Sequence, residues 1–236
     1  MGGAGLEVRT LNTAGEMASS VNVFAQVWGS VTPIVSAELL RAISHAGGYV
    51  AGAFDSGNMI GVSFGFLARH DGEHALHSHA TGILPGVQHT GVGRSIKNHQ
   101  RKWAAEREIP WIRWTFDPLV RRNAWFNIEI LNVEVTDYLS NFYGEMTDSI
   151  NAQDETDRLL VAWSTDESTP RPAPLDEATR HEIATPDDIV MLRRTDPTAA
   201  AEWRRSVRRQ FTELLGVGGT VTGFAREGAY VVHTPT

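Results

Sequence analysis

Residues 83–94 read Ile83-Leu84-Pro85-Gly86-Val87-Gln88-His89-Thr90-Gly91-Val92-Gly93-Arg94, an apolar run followed by spaced glycines and then a helix-forming stretch. A helix that begins directly after such a loop presents unpaired backbone N–H groups and the positive end of its dipole. Glycines let the backbone approach a ligand closely, so a pyrophosphate is a natural guest. A plain strand-to-helix turn is the alternative that two glycines alone leave open. Two nucleotide-binding patterns fail here. The dinucleotide fingerprint Gly-x-Gly-x-x-Gly needs a third glycine where Ile96 stands, and it belongs after a first strand. A P-loop needs Gly-Lys-Ser/Thr at the helix start, whereas Gly93 is followed by Arg94-Ser95.

Upstream, His77 and His79 stand two apart in an apparent strand, so both project from one face. An imidazole with its ordinary pKa near 6.5 suits proton transfer at neutral pH. Two hydrogen-bonded sheet histidines are the plainer reading, and a metal site with His74 is a third. Downstream, Asp117 follows the apolar run 111–116 and either orients a substrate or caps the next helix. Arg121 and Arg122 follow; they pair with a carboxylate on an acceptor or an acyl group, or stand solvated.

These residues need elements to position them. A first strand fits 5–10, and Met17, Val21, Phe24 and Val27 recur at helical spacing over 12–27. A second helix fits 36–45, with Ser36 as N-cap and Gly47-Gly48 closing it. Strands fit 49–54, 59–68 and 75–84, separated by Asp55-Ser56-Gly57-Asn58 and Asp71-Gly72. A helix over 94–107, a strand over 111–116, a helix from Asp117-Pro118 to 131, and strands over 133–139 and 158–163 complete the pattern. That order predicts an α+β fold around a central mixed sheet.

After Trp163 the composition turns rich in proline and charge, which predicts an extended linker over 164–180. Residues 181–236 form an extension: helices over 186–194 and 197–215, then a hairpin of 220–225 and 229–233. Trp203, Val207, Phe211 and Leu214 share one face of the long helix. That face lies opposite much of the cluster Arg204, Arg205, Arg208 and Arg209 and is expected to bury against the core or a dimer partner. The cluster leaves room for a local basic patch that takes a phosphate-bearing ligand.

Composition narrows the classes. The 236 residues carry a net charge of -7, which argues against nucleic-acid binding. With no cysteine, disulfides, thiolate nucleophiles and Cys-based zinc sites are excluded. No apolar run approaches the length of a membrane span, and the N-terminus lacks the pattern of a signal peptide. A cytoplasmic protein without a membrane or nucleic-acid partner is expected.

Gln88-x-x-Gly91-x-Gly93, at the end of the fourth strand and the start of a long helix, resembles the acyl-CoA signature of the GNAT acetyltransferases. LHSHATGILPG, WTFDPLVRRNAWFNIEILN, NFYGEM and TDRLLVAW together look like a subgroup of predicted GNAT proteins with a C-terminal extension. The subgroup's loop usually carries a further glycine where His89 stands. The resemblance implies the GNAT fold, a central mixed and mostly antiparallel sheet flanked by helices. It implies acetyl-CoA or succinyl-CoA as co-substrate and no metal. The backbone of His89, Thr90, Gly91, Val92, Gly93 and Arg94, with Ser95, would cradle the CoA pyrophosphate, and that near Ile83 and Leu84 would pair with pantetheine. Asn123 and Phe126 look like further CoA contacts.

In one member of the family, two histidines at the offsets of His77 and His79 from the loop are linked to proton removal. The family commonly uses a Tyr as the acid that protonates the CoA thiolate; Tyr143 is best placed, Tyr138 second, and a buried core role fits either. Glu145 would bind an acceptor amine or stand solvated, and Asp117 and Arg121 join it as substrate candidates. The implied activity is direct N-acylation of a small amine or amino acid. A GNAT-fold module that binds acyl-CoA or scaffolds an assembly without catalysis is the alternative.

Overall fold

The computed structural model describes residues 5–29, 33–87, 90–144, 154–174 and 178–236. Two units divide the chain, Met1–Arg113 and Trp114–Thr236. The first holds β1 (Glu7–Thr10), α1 (Ala14–Trp28), α2 (Ala37–His45), β2 (Tyr49–Asp55), β3 (Asn58–His70), β4 (Glu73–Ile83), α3 (Val92–Ala105) and the start of β5 (Trp111–Phe116).

Local chemistry sets the helix starts. Thr13 and Glu16 form a reciprocal capping box on α1, and Ser36 caps α2 as its position suggests. Burial pushes the Glu16 carboxyl up, but N–H groups of Asn12 and Thr13 and the Arg9 guanidinium outweigh it and hold the pKa at about 2. The sheet order is β1-β2-β3-β4-β5. The first three pairings are antiparallel and β4–β5 is parallel, so the sheet is mixed and mostly antiparallel. Residues of β2 are buried on both faces until Asp55. On one side Met17, Phe24 and Leu40 pack against Val50, Val62 and Phe64. On the other Val92 and Ile96 pack against Ala53. Helices on both faces explain why β2 reads as a continuous apolar run rather than an alternation.

The second unit holds the end of β5, α4 (Arg121–Trp125), a π turn (Phe126–Ile130), β6 (Glu134–Leu139) and β7 (Arg158–Ser164). It continues with β8 (Thr179–Ala184), α5 (Ile189–Thr195), α6 (Pro197–Gly216), β9 (Thr220–Ala225) and β10 (Ala229–Thr234). Its strands run β5-β7-β6 and β8-β10-β9. The whole is α+β.

Two local readings need correction. The helix expected over 117–131 is shorter and changes type. Asp117 accepts the Leu119 N–H at 2.9 Å, so the first turn is not helical, and α4 starts at Arg121. The Asn127 side chain then takes the Asn123 carbonyl at 2.8 Å, competing with the ordinary ladder, and Leu131 N–H reaches back to Phe126 O. The stretch expected as linker ends early, because β8 begins at Thr179. Ile183 is the only buried side chain in that strand, so it carries almost no apolar alternation.

The long α6 buries Ala200, Val207 and Phe211, with Trp203 and Leu214 half-buried beside them. Phe211 stacks on Tyr138 of β6 at 5.4 Å and meets Tyr230 of β10 edge-on. The face predicted for this helix therefore packs within the second unit, on β6. Of the arginine cluster, Arg205 and Arg209 are exposed, whereas Arg204 and Arg208 turn to carboxylates.

Candidate functional site

In the first unit β4 leads through a short loop into α3, and the chemistry gathers at that junction. Gly91 is the N-cap residue of α3, at φ 88, a left-handed conformation that a side chain disfavours. Among the described residues no side chain caps this helix, and its first turn carries no acidic residue. The four other α-helices with a Ser, Thr or Asp N-cap all satisfy an amide there. A helix start of this kind offers N–H groups and a dipole suited to an anion. Thr90 Oγ donates to Val87 O at 2.7 Å and ties the loop. Gln88 and His89 lie outside the described residues. Val92 is buried, Gly93 and Ser95 are half-buried, and Arg94 is exposed.

Ile83 pairs with Gly61, and Leu84 N–H reaches Ile60 O, so the end of β4 is held from the β3 side. The parallel register with β5 runs over Ala75–His77 and Trp111–Arg113. Residues 80–83 continue the antiparallel pairing with β3 beyond that parallel register.

His77 and His79 lie on this strand, and their rings are 5.7 Å apart. The register with β3 passes from Ser78 to Ala80, which leaves His79 at a bulge. Phe66 lies against both imidazoles, at 5.1 and 5.6 Å, and Phe64 lies against His79. His77 is half-buried and His79 exposed. Burial pulls the His77 imidazole down to about 4, helped by His79, Arg113 and Lys97. Burial lowers His79 as well. At neutral pH both rings are therefore unprotonated and able to accept a proton.

Ser78, between them, points the other way. There Lys97 of α3 donates to Ser78 Oγ at 3.0 Å and to Gln100 Oε1 at 3.3 Å. All three side chains are buried, and burial brings the Lys97 ammonium down to about 7. Lys97 was not singled out in the sequence, although it sits one turn before Gln100 on the buried side of α3. His74 is exposed, and among the described residues no three His, Cys, Asp or Glu side chains could hold a metal ion.

The second unit carries the other candidates. Tyr143 is partly exposed; its hydroxyl lies 3.2 Å from Thr115 Oγ and its ring 5.4 Å from the Arg158 guanidinium. Tyr138 is buried and donates to Asp157 at 2.6 Å. Asn123 and Phe126 sit on α4 and at the start of the π turn, both half-buried. Asp117 accepts from Leu119 and from Arg193, so both its oxygens are engaged within the protein. Arg121 binds Asp187 and Thr185, while Arg122 is exposed. Glu145 lies outside the described residues.

No family model matches the chain, and no curated protein matches it in sequence. Solved structures do. A GNAT-family acetyltransferase from Desulfovibrio desulfuricans aligns at TM-score 0.53 and 17% identity, over 68% of this chain and 99% of its own. This chain has the GNAT fold. An aminoglycoside 6'-acetyltransferase type Ii aligns at TM-score 0.54 and 15% identity, over 70% of this chain and 99% of its own. Arabidopsis thaliana Naa50, in complex with the bisubstrate analogue CoA-Ac-MVNAL, aligns at TM-score 0.51 and 16% identity, over 66% and 97%. These GNAT-fold structures are matched almost whole, whereas roughly a third of this chain has no counterpart in them. No described helix is long and apolar enough to cross a membrane.

Proposed function

We propose that the chain is an acyl-CoA-dependent N-acyltransferase that transfers an acyl group, acetyl by default, directly to a small amine or amino acid. The observation that carries this is the β4–α3 junction: a helix opened by a left-handed Gly91 and capped by no described side chain, in a GNAT fold. In that frame residues 88–95 would hold the CoA pyrophosphate and the backbone of β4 near Ile83 and Leu84 its pantetheine arm. Asn123 and Phe126 would be further CoA contacts. A CoA-containing analogue in one neighbour and an aminoglycoside acceptor named for another support the donor and the amine.

The chemistry is an attack of the neutral amine nitrogen on the thioester carbonyl. The C–N bond forms, the C–S bond breaks, and the nitrogen proton goes to a base. His79, more exposed than His77, would take that proton directly, with His77 beside it. Tyr143 would give a proton to the CoA thiolate. Succinyl-CoA is the alternative donor. Arg122, exposed and on α4, is better placed to meet its second carboxylate than Arg121, which is engaged by Asp187 and Thr185. Asp117 would act on substrate only indirectly, since Arg193 and Leu119 hold it; Glu145 remains a candidate for the acceptor amine. Residues 1–163 would form the acyltransferase core, a share of the chain close to that matched by the neighbours, with 164–180 linking it to an extension over 181–236.

Thermal shift with CoA, acetyl-CoA, succinyl-CoA, NAD and ATP tests the loop assignment. Ligand at 100 times its Kd stabilises by about 2.7 kcal/mol, which raises Tm visibly. The expected result is a shift with CoA species only, larger for the true acyl donor. A shift with NAD or ATP and none with any CoA would overturn the reading.

A further inference from the structure

We propose that the C-terminal helices α5 and α6 position Tyr143, with Arg208 as the principal positioning residue. This rests on the reading of Tyr143 as the proton donor. Two short segments of the second unit, 141–144 and 154–157, are tied together. Phe142 N–H donates to Thr156 O at 2.9 Å, and Tyr143 N–H donates to Thr156 Oγ at 2.9 Å. The Thr156 hydroxyl donates in turn to Gly144 O at 2.9 Å, and Thr156 N–H to Asn141 Oδ1 at 3.1 Å. Asp157 closes the arrangement by accepting Asn141 N–H at 2.9 Å. Asn141 sits at φ 45, in the left-handed region that asparagine adopts more readily than most residues. The backbone that carries Tyr143 is therefore placed by residues 154–157.

Those residues are held in their turn by the C-terminal helices. Arg208 of α6 grips Asp157 with both arms of its fork, Nε to Oδ2 at 2.9 Å and Nη2 to Oδ1 at 2.6 Å, and also pairs with Glu155. Arg204 of α6 binds Asp154, Nε to Oδ1 at 2.9 Å, and Arg193 of α5 binds the other oxygen of Asp154 at 3.0 Å. Each consecutive residue from 154 to 157 is thus either fixed by an arginine of the extension or bonded to the Tyr143 backbone. A planar fork gripping a carboxylate restricts orientation as well as distance, which a point charge does not. Asp157 is fully buried and Arg208 only partly exposed, so solvent does not replace this grip cheaply. A four-residue acidic strap held by three cations is far more than is needed to close a hairpin between β6 and β7. Its other face meets the one residue the chemistry assigns as acid.

The test compares full-length wild-type protein with Arg208→Gln, Arg208→Lys and Thr156→Val. Thr156→Val keeps every arginine pair and removes the hydroxyl links to Tyr143 and Gly144. Amide exchange at Asn141, Phe142 and Tyr143 is expected to quicken at least tenfold in Arg208→Gln, with β1–β4 unchanged, and Arg208→Lys restores only part of the protection. In acyl transfer, Arg208→Gln and Thr156→Val are expected to lower kcat at least tenfold, leave KM for acyl-CoA within twofold, and shift the alkaline limb of the kcat–pH profile. Faster exchange with unchanged kcat, or unchanged exchange, overturns the proposal. Should Arg208→Gln unfold, Arg208→Lys decides by the same readings, with Thr156→Val reporting only whether the hydroxyl link matters. A wild-type protein that transfers no acyl group refutes the proposed function instead, and the exchange arm still decides whether the extension holds this segment.

Discussion

Lys97 in the first unit and Arg193 and Arg204 in the second are all buried cations, but they meet opposite surroundings. In the first, Lys97 sits on α3 against a hydroxyl and a carboxamide oxygen, and burial brings its pKa down to about 7. In the second, Arg193 and Arg204 lie almost without exposure against Asp117 and Asp154. Burial alone would push the Asp154 carboxyl up, but Arg204 and Arg193 outweigh it and hold it below the usual range. Burial lowers an arginine as well, yet the carboxylates leave Arg204 above its ordinary value. In the contacts described, the difference is one of partner charge. A buried cation with neutral partners stays charged only at a cost and becomes titratable near neutrality, whereas one set against carboxylates is fixed in its charge state. The first unit sets a titratable cation in a neutral pocket; in the second, Arg193 and Arg204 are fixed charges spent on architecture.

Breaking the fixed set is expected to have the largest effect. Arg204→Met removes the partner of Asp154 and leaves a carboxylate inside the unit with Arg193 alone. Losing one member of a buried pair costs about 3–5 kcal/mol. Urea unfolding of this variant against wild type measures it, and a loss below about 1 kcal/mol would mean that the network is decorative. Asp154→Asn with Arg204→Met together should recover part of the loss, because the orphaned charge disappears.

Lys97→Met probes the titratable set and is expected to act in the other direction. The folded pKa of Lys97, about 7, lies below that of the unfolded chain, near 10.5. Between those values the unfolded chain binds more protons, so wild-type stability rises as pH climbs from 7 toward 10, by at most about 1.4 kcal/mol per pH unit. Lys97→Met is expected to flatten that slope and to be at least as stable as wild type at pH 7. A wild-type stability that is level from pH 7 to 10 would remove the basis of the comparison.

How much of this was legible in the sequence follows from the same physics. Short-range rules carry far: Ser36 caps α2, Asp71-Gly72 turns β3 into β4, and the spacing of Gly91 and Gly93 places the loop before a helix. A 3.6-residue period exposed the face of α6 that holds Val207 and Phe211. What stayed hidden depends on partners distant in the chain. Arg204 and Arg208 look like a solvated or phosphate-binding cluster until Asp154 and Asp157 are placed beside them. The strand β8 is mostly polar and exists because β10 offers it a ladder from Ala184 to Thr179. The π turn after α4 comes with a bond from the Asn127 side chain to the Asn123 carbonyl, a local choice no propensity predicts. Lys97 falls between: its helical phase with Ile96 and Gln100 puts it on the buried side, and only the assumption that lysines face water concealed it.

The smallest expected effect sharpens the comparison at the histidines. The His77 pKa, about 4, lies below the ordinary 6.5, so the folded state resists a proton that the unfolded chain accepts. Stability from this source is complete above pH 6.5 and falls as pH drops from 6.5 toward 4. Glu16 and Asp154, whose pKa values are also depressed, lose their contributions below the ordinary carboxylate range, so the window between about 5 and 6.5 belongs mainly to histidines. His77→Gln is expected to reduce the slope of stability with pH in that window by a fraction of a kcal/mol per pH unit. Ring-proton NMR of the wild type supplies the independent check, since His77 should show no titration step between pH 5 and 8. If His77 titrates with an ordinary midpoint, its ring is hydrated, the contrast between the two units weakens, and His77 rather than His79 becomes the stronger candidate for the base.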